Sequence, residues 1–347
     1  MPKRYVLFAA LPYAYSILRP LQNEIRARGD DVAWFLEPGC KNLLEESEVL
    51  LESIDDVKRY EPLAIFACGN WIYHFLPGIK VAVFHGYAVG KRGEKGEVLD
   101  DHFTIRNWFD IYCTQGPSST PIFERLEKEH GFFKCYETGW CKVDPFFTEP
   151  ANQNDAKTTV LYSPTFSKGI TSVNTLYETI YQLAERRDWQ WIITFHPKID
   201  DPETIDKYKT MSEKFDNVSF ERNEGLKTMQ RADVMLCDSS SIILEFMLLN
   251  KPVVTFNNTN PGPHLLDVNN CDDVEAALDK ALTLPNDLMK AINDYTWTHE
   301  SHRDGRNSSR VLDAVDDFNN NYKGKIKAKP LNLWRKFRLR NKLKYWK

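Results

Sequence analysis

The chain has 347 residues, 42% hydrophobic and 13% aromatic, enough for about two cored domains, which excludes a disordered protein. The net charge of −4 conceals a division: Tyr322 to Lys347 holds eleven Lys and Arg and no acid, so residues 1–321 carry −15. An acidic body of that kind is not the footprint of a nucleic-acid binder, and no stretch approaches the ~20 apolar residues that span a bilayer.

Tyr5 to Ala10 reads as a first core strand rather than a signal peptide, because the apolar run is brief and Pro12 and the tyrosines interrupt it. A helix follows over Tyr15 to Arg28, with Ile17, Leu18, Leu21 and Ile25 on one side. Gly29 stops it before a strand at Val32 to Leu36. This β-α-β opening is how a parallel sheet with covering helices begins. It lacks G-x-G-x-x-G, so no dinucleotide site is read. Further strands fall at Leu63 to Cys68, Val81 to Phe84 and Ile111 to Thr114. The last leads through Pro117, Ser118 and Ser119 into a helix from Thr120 to His130.

Thr148 to Lys157 is polar, aperiodic and contains Pro150, which marks a linker. Alternation then resumes. Strands are expected at Thr159 to Tyr162, Trp191 to Phe195 and Val218 to Phe220. Helices are expected at Val173 to Arg187, Pro202 to Phe215 and Leu226 to Arg231. Next comes a compact unit. Val234 to Cys237 is a buried strand, Asp238 to Ser241 are capping residues, and Ile242 to Leu249 is a helix. Lys251 and Pro252 end it before a second buried strand, Val253 to Phe256. Asp272 to Leu282 and Pro285 to Tyr295 are closing helices. The architecture expected is α/β: two doubly wound, Rossmann-type halves facing a cleft, with ligands outside the carboxyl ends of the strands. None of the seven cysteines forms a C-x-x-C pair, which suits buried free thiols in a reducing compartment.

Four constellations sit at expected strand ends. His85 follows one strand and has the tunable protonation of a general base, and Gly86 beside it lets a substrate approach the backbone. Lys91 continues this loop on the acceptor side. The run Gly86 to Arg92 resembles a P-loop only superficially, since the spacing is one short and no Ser or Thr follows the lysine. Ser163 and Thr165 close the first strand of the second half, with hydroxyls suited to a phosphate or ribose. His196 and Lys198 close the next, and both can donate to phosphate oxygens. Asp238, Ser239, Ser240 and Ser241 open a helix, where unpaired N–H groups and the helix dipole favour anions. Glu245 lies one turn further on and is placed to hold a ribose hydroxyl. No Asp-x-Asp pair is present, so no metal is expected and no cofactor is called for. Each of these groups alone is also compatible with a plain turn or cap.

Together they suit an acceptor in the first half and a nucleotide donor in the second. The set FHGYAVGKRG (84–93), ETGWCKVD (137–144), VLYSPTF (160–166), FHPK (195–198), ADVMLCDSSSIILEFMLLNKPVV (232–254) and DGRNSSRVLDAV (304–315) resembles the CDP-glycerol glycerophosphotransferase family, the teichoic-acid and capsule polymerases and primases. The resemblance implies a GT-B fold and transfer of glycerol phosphate from CDP-glycerol, or a related CDP-alditol, to a hydroxyl, with release of CMP. It implies His85 as base, and His196 with Ser240 and Ser241 on the pyrophosphate. Thr165, Glu245, Asp304 and Arg310 would be further donor-site residues.

The expected division is therefore 1–150, an acceptor-side domain; 157–320, a nucleotide-donor domain; and 321–347, a basic tail. The tail interleaves Leu331, Leu333, Trp334, Phe337, Leu339, Leu343, Tyr345 and Trp346 with its cations. That pattern is expected to form an amphipathic helix on the anionic cytoplasmic leaflet of the inner membrane, where a glycan or lipid-linked acceptor would sit. A solvated, partly disordered C-terminus, or a helix folded back on the first domain, is the other reading. The residues also leave open a metal-independent glycosyltransferase using a nucleotide sugar, and a non-catalytic nucleotide-binding scaffold.

Overall fold

The computed structural model describes residues 2–89, 101–149, 157–167, 169–196, 198–221 and 225–346. The chain forms two compact units. The first comprises Met1–Thr148 and Thr298–Lys347, and the second Glu149–Trp297.

The first unit is built on strands β1 (Arg4–Ala9), β2 (Asp31–Leu36), β3 (Ala64–Ala67), β4 (Ile79–Ala82), β5 (Ile111–Thr114) and β6 (Lys134–Glu137). They form one parallel sheet in the order β2-β1-β3-β4-β5-β6. β1, β3 and β5 are buried throughout or nearly so, as strands covered on both faces must be. The helix Ala14–Ala27 buries Ile17, Leu18, Leu21 and Ile25, and Gly29 turns the chain out of it at φ +75°. The order reverses between β1 and β3, the place where such sheets bind ligands.

The second unit repeats the plan with β7 (Thr159–Tyr162), β8 (Gln190–Thr194), β9 (Val218–Glu221), β10 (Val234–Cys237), β11 (Val253–Phe256) and β12 (Leu266–Val268). Its parallel sheet runs β12-β11-β10-β7-β8-β9, with the reversal between β7 and β10. Its core joins Tyr162, Trp191, Ile193, Leu236 and Val254 to the covering helices. The two doubly wound α/β units agree with the fold expected from sequence. All seven cysteines are free thiols.

Three expectations need correction. The strand before His85 ends at Ala82, not Phe84, because Phe84 adopts φ +57° and breaks the ladder. The helix expected from Val173 begins at Tyr177. The larger change concerns residues 298–320, assigned to the second domain from sequence. They return to the first unit. Two buried carboxyl groups hold them there. Asp144 accepts from the N–H groups of Asn307 and Ser308, each at 2.8 Å, at the start of the helix Asn307–Asp317. Glu300, fully buried, accepts from Trp140 N at 2.9 Å. Gly139 makes this approach possible: a Cβ there would lie 2.4 Å from Asn307 Oδ1.

The tail also returns to the first unit. Its helix, Leu333–Leu343, packs Leu339 and Leu343 against that unit's core, and Tyr345 Oη donates to Asp55 at 2.6 Å. No helix among the described residues is long and apolar enough to cross a membrane.

Candidate functional site

In the second unit, three candidate loops leave the carboxyl ends of three neighbouring strands, β10, β7 and β8. Asp238 ties two of them together. Its Oδ1 accepts from Thr165 N at 2.8 Å and Ser239 N at 2.7 Å. Its Oδ2 accepts from Ser172 N at 2.9 Å and Ser172 Oγ at 3.0 Å. It is wholly buried, and burial pushes its carboxyl up despite those donors. Both oxygens of Asp238 therefore hold these loops in place.

The serines stand in front of it. Ser239 Oγ accepts from Thr259 N at 2.9 Å, which brings in a loop the sequence did not flag. Ser240 Oγ accepts from Ile242 N at 3.4 Å, while the exposed Ser241 makes no side-chain cap to the helix Ile242–Leu248. Glu245 is buried one turn into that helix.

At the end of β8, His196 accepts through Nδ1 from Lys198 N at 3.1 Å. This fixes the neutral tautomer with the proton on Nε2, which is left as a donor. Burial, then Lys198, pushes the imidazole below its usual range, so the ring is neutral at pH 7. The ring lies 4.4 Å from that of Phe166, and Lys198 Nζ lies 4.6 Å over the same ring. Thr165, the adjoining residue, is buried. Phe166, the last residue of the motif VLYSPTF, carries no expected role from sequence. It braces both donors.

In the first unit, Phe84 in its left-handed conformation leaves His85 exposed. A bulky residue rarely adopts this backbone. Stacking on His102 at 4.8 Å and a hydrogen bond from Trp140 Nε1 to its carbonyl, 3.2 Å, hold it. The His85 ring lies 5.8 Å from that of Tyr13, which leaves β1. Gly86 has open space where a Cβ would stand, and its carbonyl accepts from Gln115 Nε2 at 3.1 Å. Tyr87 is buried and donates to Glu300. Lys91 lies outside the described residues.

Asp304 and Arg310, expected among the donor-site residues, belong to the first unit. They form an ion pair at 2.5 Å that pushes the Asp304 carboxyl down to about 2. Arg310 also donates to Asn307 Oδ1 at 3.2 Å, so both stabilise the start of the returning helix.

A family model described as CDP-Glycerol:Poly(glycerophosphate) glycerophosphotransferase matches residues 105–317, more than half of the chain. No curated protein matches it in sequence. Among solved structures it is similar to the wall teichoic acid polymerase TagF, with 14% identity and TM-score 0.61 over 93% of this chain and 90% of that one. It is also similar to S. aureus MnaA in its UDP co-structure, at 13% identity and TM-score 0.60 over 94% and 99%. A UDP-N-acetylglucosamine 2-epimerase matches at 14% identity and TM-score 0.59 over 95% and 99%. At these identities the likeness is one of fold, of the GT-B type.

Proposed function

The chain belongs to the CDP-glycerol:poly(glycerophosphate) glycerophosphotransferase family and is a transferase of that type; from that premise we propose that it transfers glycerol phosphate to a hydroxyl of a glycan or lipid-linked acceptor and releases CMP. The observation that carries the donor side is the set of groups at the ends of β8 and β10: a neutral imidazole with its proton on Nε2, a lysine, and a serine turn at a helix start. Such groups neutralise phosphate oxygens by donation, and their fixed positions supply most of the rate in phosphoryl transfer.

In this reading His85 takes the proton of the acceptor hydroxyl. The hydroxyl oxygen forms a bond to the β-phosphorus of CDP-glycerol, the bond from that phosphorus to the bridging oxygen breaks, and the electrons leave with CMP. His196, Ser240 and Ser241 stabilise the charge on the diphosphate. Thr165, Lys198 and Glu245 line the same strand ends, and Asp238 and Ser239 hold the loops. The test is product analysis with CDP-glycerol and a glycerol-phosphate-primed acceptor. CMP release with one glycerol phosphate added is expected, and release of CDP would overturn it.

The same proposal places the enzyme at the cytoplasmic face of the membrane. The helix Leu333–Leu343 leaves Leu333, Trp334 and Phe337 exposed, with Trp346 beyond it. Trp334 and Phe337 stack at 5.8 Å, and Phe337 lies 5.4 Å from Trp346. Exposed aromatic clusters among Lys and Arg are what interfacial helices present to anionic lipid.

A further inference from the structure

The other face of the C-terminal helix closes a hollow in the first unit. Arg335, Arg338, Leu339 and Lys342 recur along one side of the helix and face the segment Asn70–Tyr73, which follows β3, and the segment Arg106–Trp108. Between them lies a cavity of about 570 Å³. That falls within the range of about 300–1,000 Å³ of small-molecule sites.

Its charge is one-sided. Arg106, Arg335, Arg338 and Lys342 line it against a single carboxylate, Glu37. Glu37 is already engaged by Trp71 Nε1 at 3.1 Å and by Lys342 Nζ at 3.7 Å. Two of these cations are also held in place. Arg335 Nη1 donates to the Arg106 carbonyl at 2.7 Å, and its guanidinium lies 5.6 Å over the Trp108 ring. Lys342 Nζ lies 5.4 Å over Trp71. Arg338 is exposed and enters no ion pair among the described residues.

The wall adds an aromatic face. Trp71 is 47% exposed although its indole N–H is fixed on Glu37. An indole plane beside preset guanidinium groups recognises a ring that carries an anion: the ring packs on the indole, and the phosphate takes forked donation from arginine. A run of neighbours leads from the wall of the hollow at Asn70 to the candidate base. Asn70 follows Gly69, which lies 3.8 Å from Tyr13 Oη when given a Cβ, and Tyr13 rests against His85.

We infer that this hollow is a binding pocket for a phosphate-bearing sugar, completed by the C-terminal helix, and that it receives the acceptor beside His85. The assignment to the acceptor rests on the transferase reading above, whereas the chemistry of the pocket does not. It makes the basic tail part of a substrate site on one face as well as an aromatic surface on the other.

The test is calorimetric titration of the full chain with α-D-glucose 1-phosphate, glucose and inorganic phosphate, with CDP-glycerol titrated separately. Glucose 1-phosphate is expected to bind at least tenfold more tightly than either fragment, and to weaken as salt rises. Trp71→Ala and Arg338→Gln should each weaken it several-fold, and Arg335→Ala with Arg338→Gln at least tenfold, with CDP-glycerol affinity unchanged. Arg338→Gln is exposed and guards against a folding defect. Equal affinity in wild type and the double variant, or equal binding of glucose, overturns the inference. If CDP-glycerol binds and glucose 1-phosphate does not, this inference falls alone. If CDP-glycerol fails to bind while the sugar phosphate does, the transferase reading falls and the pocket stands.

Discussion

Tyr87 donates its phenolic proton to Oε2 of Glu300 at 3.0 Å, across 213 residues of sequence. The bond ties the loop that presents His85 to the segment returning from the second unit. Trp140 N donates to the same oxygen, and His302 N donates to Oε1 at 3.3 Å.

Burial outweighs those donors and pushes Glu300 up to about 8 from an ordinary 4.5. The folded state therefore holds a proton that the unfolded chain releases. The stability this contributes is fully present below about 4.5 and is lost as pH rises through about 8. Melting temperature should fall across that interval. Glu300→Gln, which copies the protonated form, should flatten the slope, while Glu300→Ala should cost about 2–4 kcal/mol by orphaning buried donors. Denaturant melts from pH 5 to pH 9 measure both. A slope identical in wild type and Glu300→Gln would remove Glu300 from the account.

Asp238 should act on the donor only through the loops it holds. Asp238→Ala leaves four donations without their acceptor, and should cost about 2–4 kcal/mol of stability. CDP-glycerol affinity should fall with it. Asp238→Asn, of the same shape, should recover part of both. If Asp238→Ala lost affinity but kept full stability, the carboxylate would be a ligand-facing group after all.

The two histidines should separate in kinetics. His85→Ala should lower turnover by roughly 10²–10⁴-fold and leave the dissociation constant for CDP-glycerol within about twofold. His196→Ala should raise that constant about tenfold, the equivalent of roughly 1.4 kcal/mol, and lower turnover as well. Calorimetry with single-turnover assays decides it. Full activity in His85→Ala would require another base.

Trp334→Glu combined with Phe337→Glu should abolish sedimentation with phosphatidylglycerol vesicles while leaving the melting temperature within about 2 °C, since both side chains are exposed. Undiminished sedimentation would end the membrane reading.

The sequence made the buried strands legible. β5, β7, β10 and β11 fall on the expected residues, because each is a short apolar run closed by a polar turn. The edge strands β6 and β12 escaped notice. Lys134–Glu137 is half-buried, and Leu266–Val268 has only three residues, so neither leaves an apolar run to read. His196, Ser240 and Ser241 stood out because strand ends are where α/β sheets bind ligands. Glu300 and Asp144 did not, since nothing local distinguishes a buried carboxylate from a solvated one. Asp304 and Arg310 were expected at the donor site from the motif resemblance, and a motif match does not tell on which unit the last helix packs. In the tail the basic aromatic pattern was plain. Leu339 and Leu343, one turn apart and counted in that pattern, pack instead on the first unit's core.

That docking has a consequence for synthesis. The first unit is made of two stretches separated by the whole of the second. A ribosome therefore finishes the inner unit while the outer one still lacks Glu300, the helix Asn307–Asp317 and the tail. Until those residues emerge, Asp144 and the apolar faces that they cover stand open to water and to other nascent chains. The piece completed last is the one that closes the piece begun first.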